Sequence, residues 1–281
     1  MALSSCRRYA VCRIPMTPKQ IIITDLDGTL LHPKTYSYEE ARPALEEIRK
    51  RDIPLVLCSS KTRAEIEVYR KRLKNRDPFI VENGGAVFIP LGYFAFLDNS
   101  SRKGNYLVSV LGKPYDEIRK EFAQLREDLH INVKGFGDMS VEEIAALTGL
   151  SREEASLAKQ REFGEPFLFA QGPEERFFRA FEERGLSWTQ GRFFHLMGDH
   201  DKGRAVRLLR RWFVRKYGTI ITIGLGDGLN DLPLLREVDR PVLVRKEDGS
   251  YDERIDIPSL VRADGVGPSG WNRAVLDLVT P

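Results

Sequence analysis

Two aspartates, Asp25 and Asp27, stand one residue apart at the end of an apolar run, in the segment IIITDLDGTLLH. On an extended strand, alternate residues project to the same face, so both carboxylates lean to one side. Two close carboxylates repel unless a cation lies between them or one of them keeps a proton. Either solution is reactive. A metal orients an anionic substrate, and a protonated carboxyl serves as general acid beside an ionised nucleophile. The D-x-D-G pattern by itself reads equally well as a strand-end turn with a helix cap. It is not a calcium loop, because glycine comes at its fourth position and no distal glutamate follows.

A second acidic cluster, GLGDGLNDLP, follows the apolar stretch TIITI and offers Asp227, Asn230 and Asp231. Its glycines imitate a dinucleotide fingerprint, but their spacing is wrong, and Asp227 repels a pyrophosphate where the helix dipole ought to attract it. Acidic side chains after an apolar strand suit Mg²⁺, which takes oxygen ligands and keeps several waters. Between the two clusters, LCSSKT ends an apolar run in hydroxyls. Ser59 there is either a hydrogen-bond donor to a phosphoryl oxygen or an ordinary helix cap. In DKGRAV, Lys202 begins a helix, where a cation opposes the dipole. A lysine in that place suggests an anion to neutralise, with a solvated surface lysine as the alternative.

These residues need strands that deliver them to one edge. The apolar periodicity gives a strand at 21–24, a helix in SYEEARPALEEIRKRD, a second strand in IPLVLCSS, a helix in KTRAEIEVYRKRLKN and a third run in PFIVENGGAVF. This is βα alternation around a parallel sheet, and ligands bind at the carboxyl ends of such strands. After Pro90 the helical segments GKPYDEIRKEFAQLRED, SVEEIAALTG, SREEASLAKQREF and PEERFFRAFEERG are separated by short strands in YLVSVL, INVKGF, PFLFAQ and RFFHLM. That pattern is α+β. A long helix in DKGRAVRLLRRWFVRKYG and the strand TIITIGLGD then restore the alternation. The expected fold class is therefore α/β: a Rossmann-like parallel-sheet core formed by 1–94 and 197–281, interrupted by an inserted α+β cap over 95–196.

Composition supports a folded, non-membrane protein. The chain has 281 residues, 42% of them hydrophobic, with a net charge of +3 and three cysteines, Cys6, Cys12 and Cys58. The charge does not by itself argue for nucleic acid, and Arg207, Arg210, Arg211 and Arg215 read as a solvated helix face. The cysteines form neither a disulfide framework nor a zinc motif, so a cytoplasmic location is expected. No stretch is long and apolar enough to span a membrane, and the basic leader 1–18, with Met16 as an alternative start, lacks a signal-peptide core. Oligomeric state is not legible.

The order DLDGT, strand-end Ser, helix-start Lys and GDGLND resembles the haloacid dehalogenase superfamily of phosphotransferases. The resemblance implies Asp25 as nucleophile, Asp27 as general acid/base, Ser59 and Lys202 as phosphoryl-steadying groups, and Mg²⁺ held by Asp25, Asp27 (through its carbonyl), Asp227, Asn230 and Asp231. LCSSKT, VENGGAV, KGNYLVSVLGKPY, GFGDMS, LTGLS, KQREF, QGRFFHLMGDHDKG and GPSGW narrow it to the family of mannosyl-3-phosphoglycerate phosphatases. It implies a small phosphorylated sugar as substrate, with no nucleic-acid or membrane partner. Gly28, Thr29, Ser60, Lys61, Asn83, Lys103, Arg161, Glu162, Arg192 and His195 are then the candidate substrate contacts. Gly28 and Thr29 are expected to offer backbone N–H groups to the phosphate. Lys61, Lys103, Arg161 and Arg192 are candidates for a substrate carboxylate, and Asn83, Glu162 and His195 for sugar hydroxyls. Rival readings are a hexose- or sucrose-phosphate phosphatase, a phosphosugar mutase and, outside enzymes, a binding module on the same fold.

Overall fold

A computed structural model describes residues 17–98 and 100–280; the leader, with Cys6, Cys12 and Met16, lies almost wholly outside them. The strands are β1 (Lys19–Thr24), β2 (Leu55–Cys58), β3 (Phe79–Val81), β4 (Ala86–Pro90), β5 (Arg102–Lys103), β6 (Tyr106–Val110), β7 (Val133–Gly135), β8 (Gly164–Phe169), β9 (Ser187–Gln190), β10 (Phe194–Met197), β11 (Ile220–Gly226), β12 (Arg240–Arg245) and β13 (Val261–Val266). The helices are α1 (Arg42–Lys50), α2 (Arg63–Arg72), α3 (Tyr115–Asp128), α4 (Val141–Thr148), α5 (Arg152–Ala158), α6 (Glu175–Glu183), α7 (Lys202–Tyr217), α8 (Leu232–Arg236) and α9 (Gly267–Val279).

The main sheet has nine strands in the order β13-β12-β11-β1-β2-β3-β4-β6-β5. From β13 to β3 neighbouring strands are parallel; β4, β6 and β5 are added antiparallel. In β1, Ile22 joins the apolar cluster that includes Ile66 of α2 and Trp271 of α9, while Ile21 and Ile23 join the cluster that includes Leu209 and Phe213 of α7. A central strand buried on both faces needs an unbroken apolar run, which is why IIIT does not alternate with polar residues.

Two expectations differ from the molecule. The run PFIVENGGAVF is two strands, β3 and β4, joined by a turn in which Glu82, Asn83 and Gly84 have φ of 47°, 56° and 100°. The strand in YLVSVL, expected within the inserted cap, is β6 of the main sheet. Its Leu107 and Val108 pack into opposite clusters, and only a sheet with apolar layers on both faces can take them.

The chain leaves the main sheet after β6 and returns at α7. In between, β7-β8-β10-β9 form an antiparallel sheet. One face packs against Phe122 of α3 and Phe177 and Phe181 of α6; the other carries Leu168 and Phe193 against Ile144 of α4 and Ala155 of α5. Ser140 and Ser151 begin the latter two helices with capping boxes, each accepting the N–H of the third helical residue.

Candidate active site

β1 and β11 are parallel neighbours with Thr24 opposite Leu225, so Asp25 and Asp227 emerge side by side at their carboxyl ends. Asp231 follows in a short 3₁₀ turn, and one oxygen each from Asp25, Asp227 and Asp231 lie within 4.8 Å of one another. Beneath them is the fully buried Lys202, whose Nζ donates to Asp25 Oδ1 at 2.5 Å and Asp231 Oδ1 at 2.6 Å. The other oxygen of Asp231 accepts the N–H groups of Asp227 and Gly228 at 3.0 and 3.2 Å, and Asp227 Oδ1 accepts the Thr29 hydroxyl at 3.0 Å.

The electrostatics of this floor are unbalanced. Burial, and then the charge of Asp231, hold the Asp25 carboxyl well above its usual range against the pull of Lys202. The same two causes push Asp227 up to about 7. Burial works against the Lys202 ammonium, but Asp231 and Asp25 outweigh it and raise its pKa. When all three carboxylates are ionised, against one ammonium, two negative charges are uncompensated, and that repulsion adds to burial in raising Asp25 and Asp227. An all-oxygen donor set with a deficit of two fits a hard divalent cation. The amide of Asn230, between Asp227 and Asp231, lies beside Gly191 in the turn between β9 and β10.

Asp27 turns away from the cluster. Its Oδ2 pairs with Lys61 Nζ at 3.0 Å, and its Oδ1 is buried without a partner. Gly28 has a φ of 77°, and a Cβ there would stand 2.7 Å from Asp227 Oδ2, so glycine lets the turn pass the acidic floor. The expectation that Gly28 and Thr29 turn their N–H groups to a bound anion is corrected: these donate to Leu31 O and Leu26 O within the turn. Among the described residues, the N–H groups of Leu26, Asp27 and Ser60 have no carbonyl partner and remain for an anion. Ser59 is buried at the end of β2, its Oγ accepting the Lys61 N–H at 3.3 Å.

A cleft of about 700 Å³ lies between this floor and the smaller sheet. Asp25, Asp27, Gly28, Ser60, Lys61, Arg161, Arg192, His195, Asp227 and Asn230 line it. Phe194 and Leu196 of β10 pack into the α3/α6 core, so His195 between them faces the other way, toward the cleft. Burial pushes the His195 imidazole down to about 3, with Arg161 and Lys202 adding to the effect, and its Nδ1 has no partner. It is a neutral, uncommitted hydrogen-bonding group. Arg161 is buried, with Nε donating to Gly164 O and Nη2 to Ser60 O and with Glu82 beside it at 3.2 Å.

Other expected contacts are committed elsewhere. Lys103 and Glu162 do not line the cleft: β5 is a two-residue edge strand, and its exposed Lys103 pairs with Glu162 at 2.5 Å, which also takes Arg63 at 3.1 Å. Asn83 is buried in the left-handed turn after β3, donating its N–H to Ser59 O, so it braces β2 from behind. Arg192 lines the cleft, yet its terminal nitrogens donate to Tyr36 Oη and to the carbonyls of Thr148 and Leu147. Lys61 is enclosed by Asp27 and Glu65.

Glu82 and Glu65 escaped the sequence reading. Glu82 accepts the N–H groups of Glu162 and Phe163 at 2.8 and 3.0 Å, fastening the cap to the core. Its only signal is the following Asn-Gly-Gly, which announces a left-handed turn. Glu65 was signalled by Thr62 three residues before it, a capping box that the structure contains. Lys246, Asp252 and Arg254 also reach the cleft, with no motif to mark them.

An acidic floor at parallel strand ends, a buried lysine across from it and a cap inserted over both define the haloacid dehalogenase-like hydrolases, whose family model matches residues 22–94. The chain is 45% identical over 265 residues, 93% of its length and 97% of the other's, to the glucosyl-3-phosphoglycerate/mannosyl-3-phosphoglycerate phosphatase of Methanococcoides burtonii. It is 44% identical over 259 residues, 91% of its length and 95% of the other's, to the protein so named in Persephonella marina. The chain belongs to this family of haloacid dehalogenase-like phosphatases. A solved structure from Thermoplasma acidophilum shares the fold, with a TM-score of 0.66 at 16% identity over 93% of this chain and 98% of that one.

Proposed function

We propose that the protein is a Mg²⁺-dependent phosphomonoester hydrolase that converts mannosyl-3-phosphoglycerate or glucosyl-3-phosphoglycerate to the glycosylglycerate. The observation that carries this reading is the floor of Asp25, Asp227 and Asp231 with Lys202, which when ionised has two negative charges in excess and opens to the cleft. The names of the relatives supply the substrate.

Asp25 attacks phosphorus. Its oxygen–phosphorus bond forms as the bond to the glyceryl oxygen breaks, and Asp27 gives its proton to the departing alkoxide. Water, deprotonated by Asp27, then releases phosphate from the aspartyl-phosphate. Lys202, Ser59 and the N–H groups of Leu26, Asp27 and Ser60 hold the phosphoryl oxygens as charge spreads over them. Asp25, Asp227, Asp231, Asn230 and the Asp27 carbonyl would hold a Mg²⁺, which would supply the positive charge that the floor lacks. The glyceryl carboxylate and sugar hydroxyls meet Arg161, whose Nη1 is uncommitted among the described residues, and the neutral His195. Arg192 closes the cap over them through Tyr36.

A phosphate-release screen tests the reading. A desolvated carboxylate left without its cation costs about 2–5 kcal/mol. kcat/KM for the glycosyl-3-phosphoglycerates should therefore exceed that for mannose or glucose phosphates by at least about a hundredfold. A chelator should abolish turnover and Mg²⁺, not Ca²⁺, should restore it. Equal turnover of both substrate classes would put a general sugar-phosphate phosphatase in its place, and full activity in chelator would remove the metal.

A further inference from the structure

We propose that Lys61 is a positioning residue for the acid/base carboxylate, holding Asp27 by one oxygen so that its carboxyl keeps a single rotamer at the wall of the cleft. The proposal rests on the reading of Asp27 as general acid. Lys61 Nζ lies 3.0 Å from Asp27 Oδ2, and Asp27 Oδ1 is left without a partner. A carboxylate with one oxygen tied to a buried ammonium and the other enclosed by the protein has its rotamer decided before substrate arrives.

Three further contacts show that Lys61 is built for this and not for reaching substrate. It is 6% exposed, and Glu65 Oε1 stands 3.5 Å from its ammonium. Glu65 in turn accepts the Thr62 N–H at 2.9 Å in the capping box of α2, so it is fixed to the start of a helix. The rings of Tyr36 and Tyr69 close over the ammonium at 5.0 and 5.7 Å. For Lys61 to meet a substrate carboxylate it would have to leave two carboxylates and two aromatic faces. Lys61 stands just before the cap residue Thr62 and Glu65 in the first turn of α2, so the start of the helix brings the two together.

The test separates a leaving group that needs a proton from one that does not. In the first step the Asp25 oxygen–phosphorus bond forms and the ester bond breaks. A glyceryl alkoxide leaves with the proton from Asp27, whereas p-nitrophenolate leaves without it. In single-turnover measurements Lys61→Met should slow release from glucosyl-3-phosphoglycerate by at least about a hundredfold, the lower range of general-acid catalysis. The p-nitrophenolate burst should stay within about fivefold of the parent, and KM should hardly move. Glu65→Gln, which keeps the lysine, should show the same split at about tenfold and decides the matter if Lys61→Met does not fold. Equal losses on both esters mean that Lys61 is structural only, and a rise in KM with an unchanged first step makes it a substrate contact; either overturns the proposal. Asp27→Asn is the control. If it shows no split, the role of Asp27 in the proposed function fails; if it does and the Lys61 and Glu65 variants do not, only this inference falls.

Discussion

The floor and the far wall of the cleft are charged by opposite means. On the floor, Asp25, Asp227 and Asp231 sit at or next to the ends of β1 and β11, aimed by the register of two parallel strands, and Lys202 reaches them from the start of α7. On the wall, two cations have partners from the core beside carbonyls of their own domain, Arg161 on Glu82 and Arg192 on Tyr36, and the Thr62 hydroxyl of the core donates to Leu157 O of α5. The floor is rigid because it belongs to the sheet. The wall depends in addition on the docking of cap and core. The carboxylates of the floor are thus placed by adjacent strand ends and the wall by pairing between cap and core, and changes at the two places should fail differently.

The sharpest break is at the nucleophile. Asp25→Asn should abolish turnover while the chain stays folded, since an amide cannot form the acyl phosphate and the substitution removes one charge from a repulsive cluster. Steady-state phosphate release measures it, and activity within about tenfold of the parent, a barrier change under about 1.4 kcal/mol, would count against the assignment.

On the wall, Glu82→Gln should damage binding and folding more than chemistry. Glu82 is completely enclosed, and its removal leaves the buried Arg161 guanidinium without a counter-charge. Breaking such a pair costs about 3–5 kcal/mol of stability. Burial holds the Glu82 carboxyl itself above its usual range despite Arg161, a sign that the pair is strained by desolvation and persists for its geometry. Denaturant unfolding should show the loss, and KM should rise by more than kcat falls. The reverse split would move Glu82 to the catalytic side of the comparison.

The hinge between the two regions offers a smaller effect. His200 precedes α7, is buried, and has one ring nitrogen 3.3 Å from Glu82 O and the other without a partner. Burial pushes it down to about 4. Its folded pKa is below the unfolded value, so the unfolded chain binds the proton first. The stability it contributes is present above about pH 6.5 and is lost as pH falls toward 4. Between pH 7 and 5 the parent should lose about 2 kcal/mol more than His200→Gln. Parallel denaturant curves for the two proteins would show instead that the ring ionises freely.

The same contrast explains what the sequence made legible. Asp25, Asp27, Ser59, Asp227 and Asp231 are written as strand-plus-turn motifs, because they stand at strand ends or within a few residues of them, and Lys202 as a helix-start lysine, although its partners Asp25 and Asp231 lie 177 and 29 residues away. Lys61 was read as a free cation, since nothing local says that Asp27 and Glu65 enclose it. Arg192 was expected to face a substrate carboxylate, yet its partners Tyr36 and Thr148 lie 156 and 44 residues away. The misplacement of β6 has the same origin: an alternating apolar strand states that it has two buried faces, but not which sheet supplies them.

Lys103 gives the smallest effect and a direct test of whether exposure can be trusted over residue type. A lysine beside the cap resembles a carboxylate reader, but here it is 59% exposed on a two-residue edge strand, outside the cleft walls, with its ammonium on Glu162. Glu162 keeps Arg63 as a second cation, so removing Lys103 strands no charge. Exposed pairs of this kind contribute about 0–1 kcal/mol, since solvent screens them and ordering a long side chain opposes them. Lys103→Ala should therefore shift stability by less than about 1 kcal/mol and leave kcat/KM for glycosyl-3-phosphoglycerates within about twofold of the parent. A tenfold fall carried by KM would mean that Lys103 swings from Glu162 onto the substrate, and the boundary of the specificity wall would have to be redrawn to include β5.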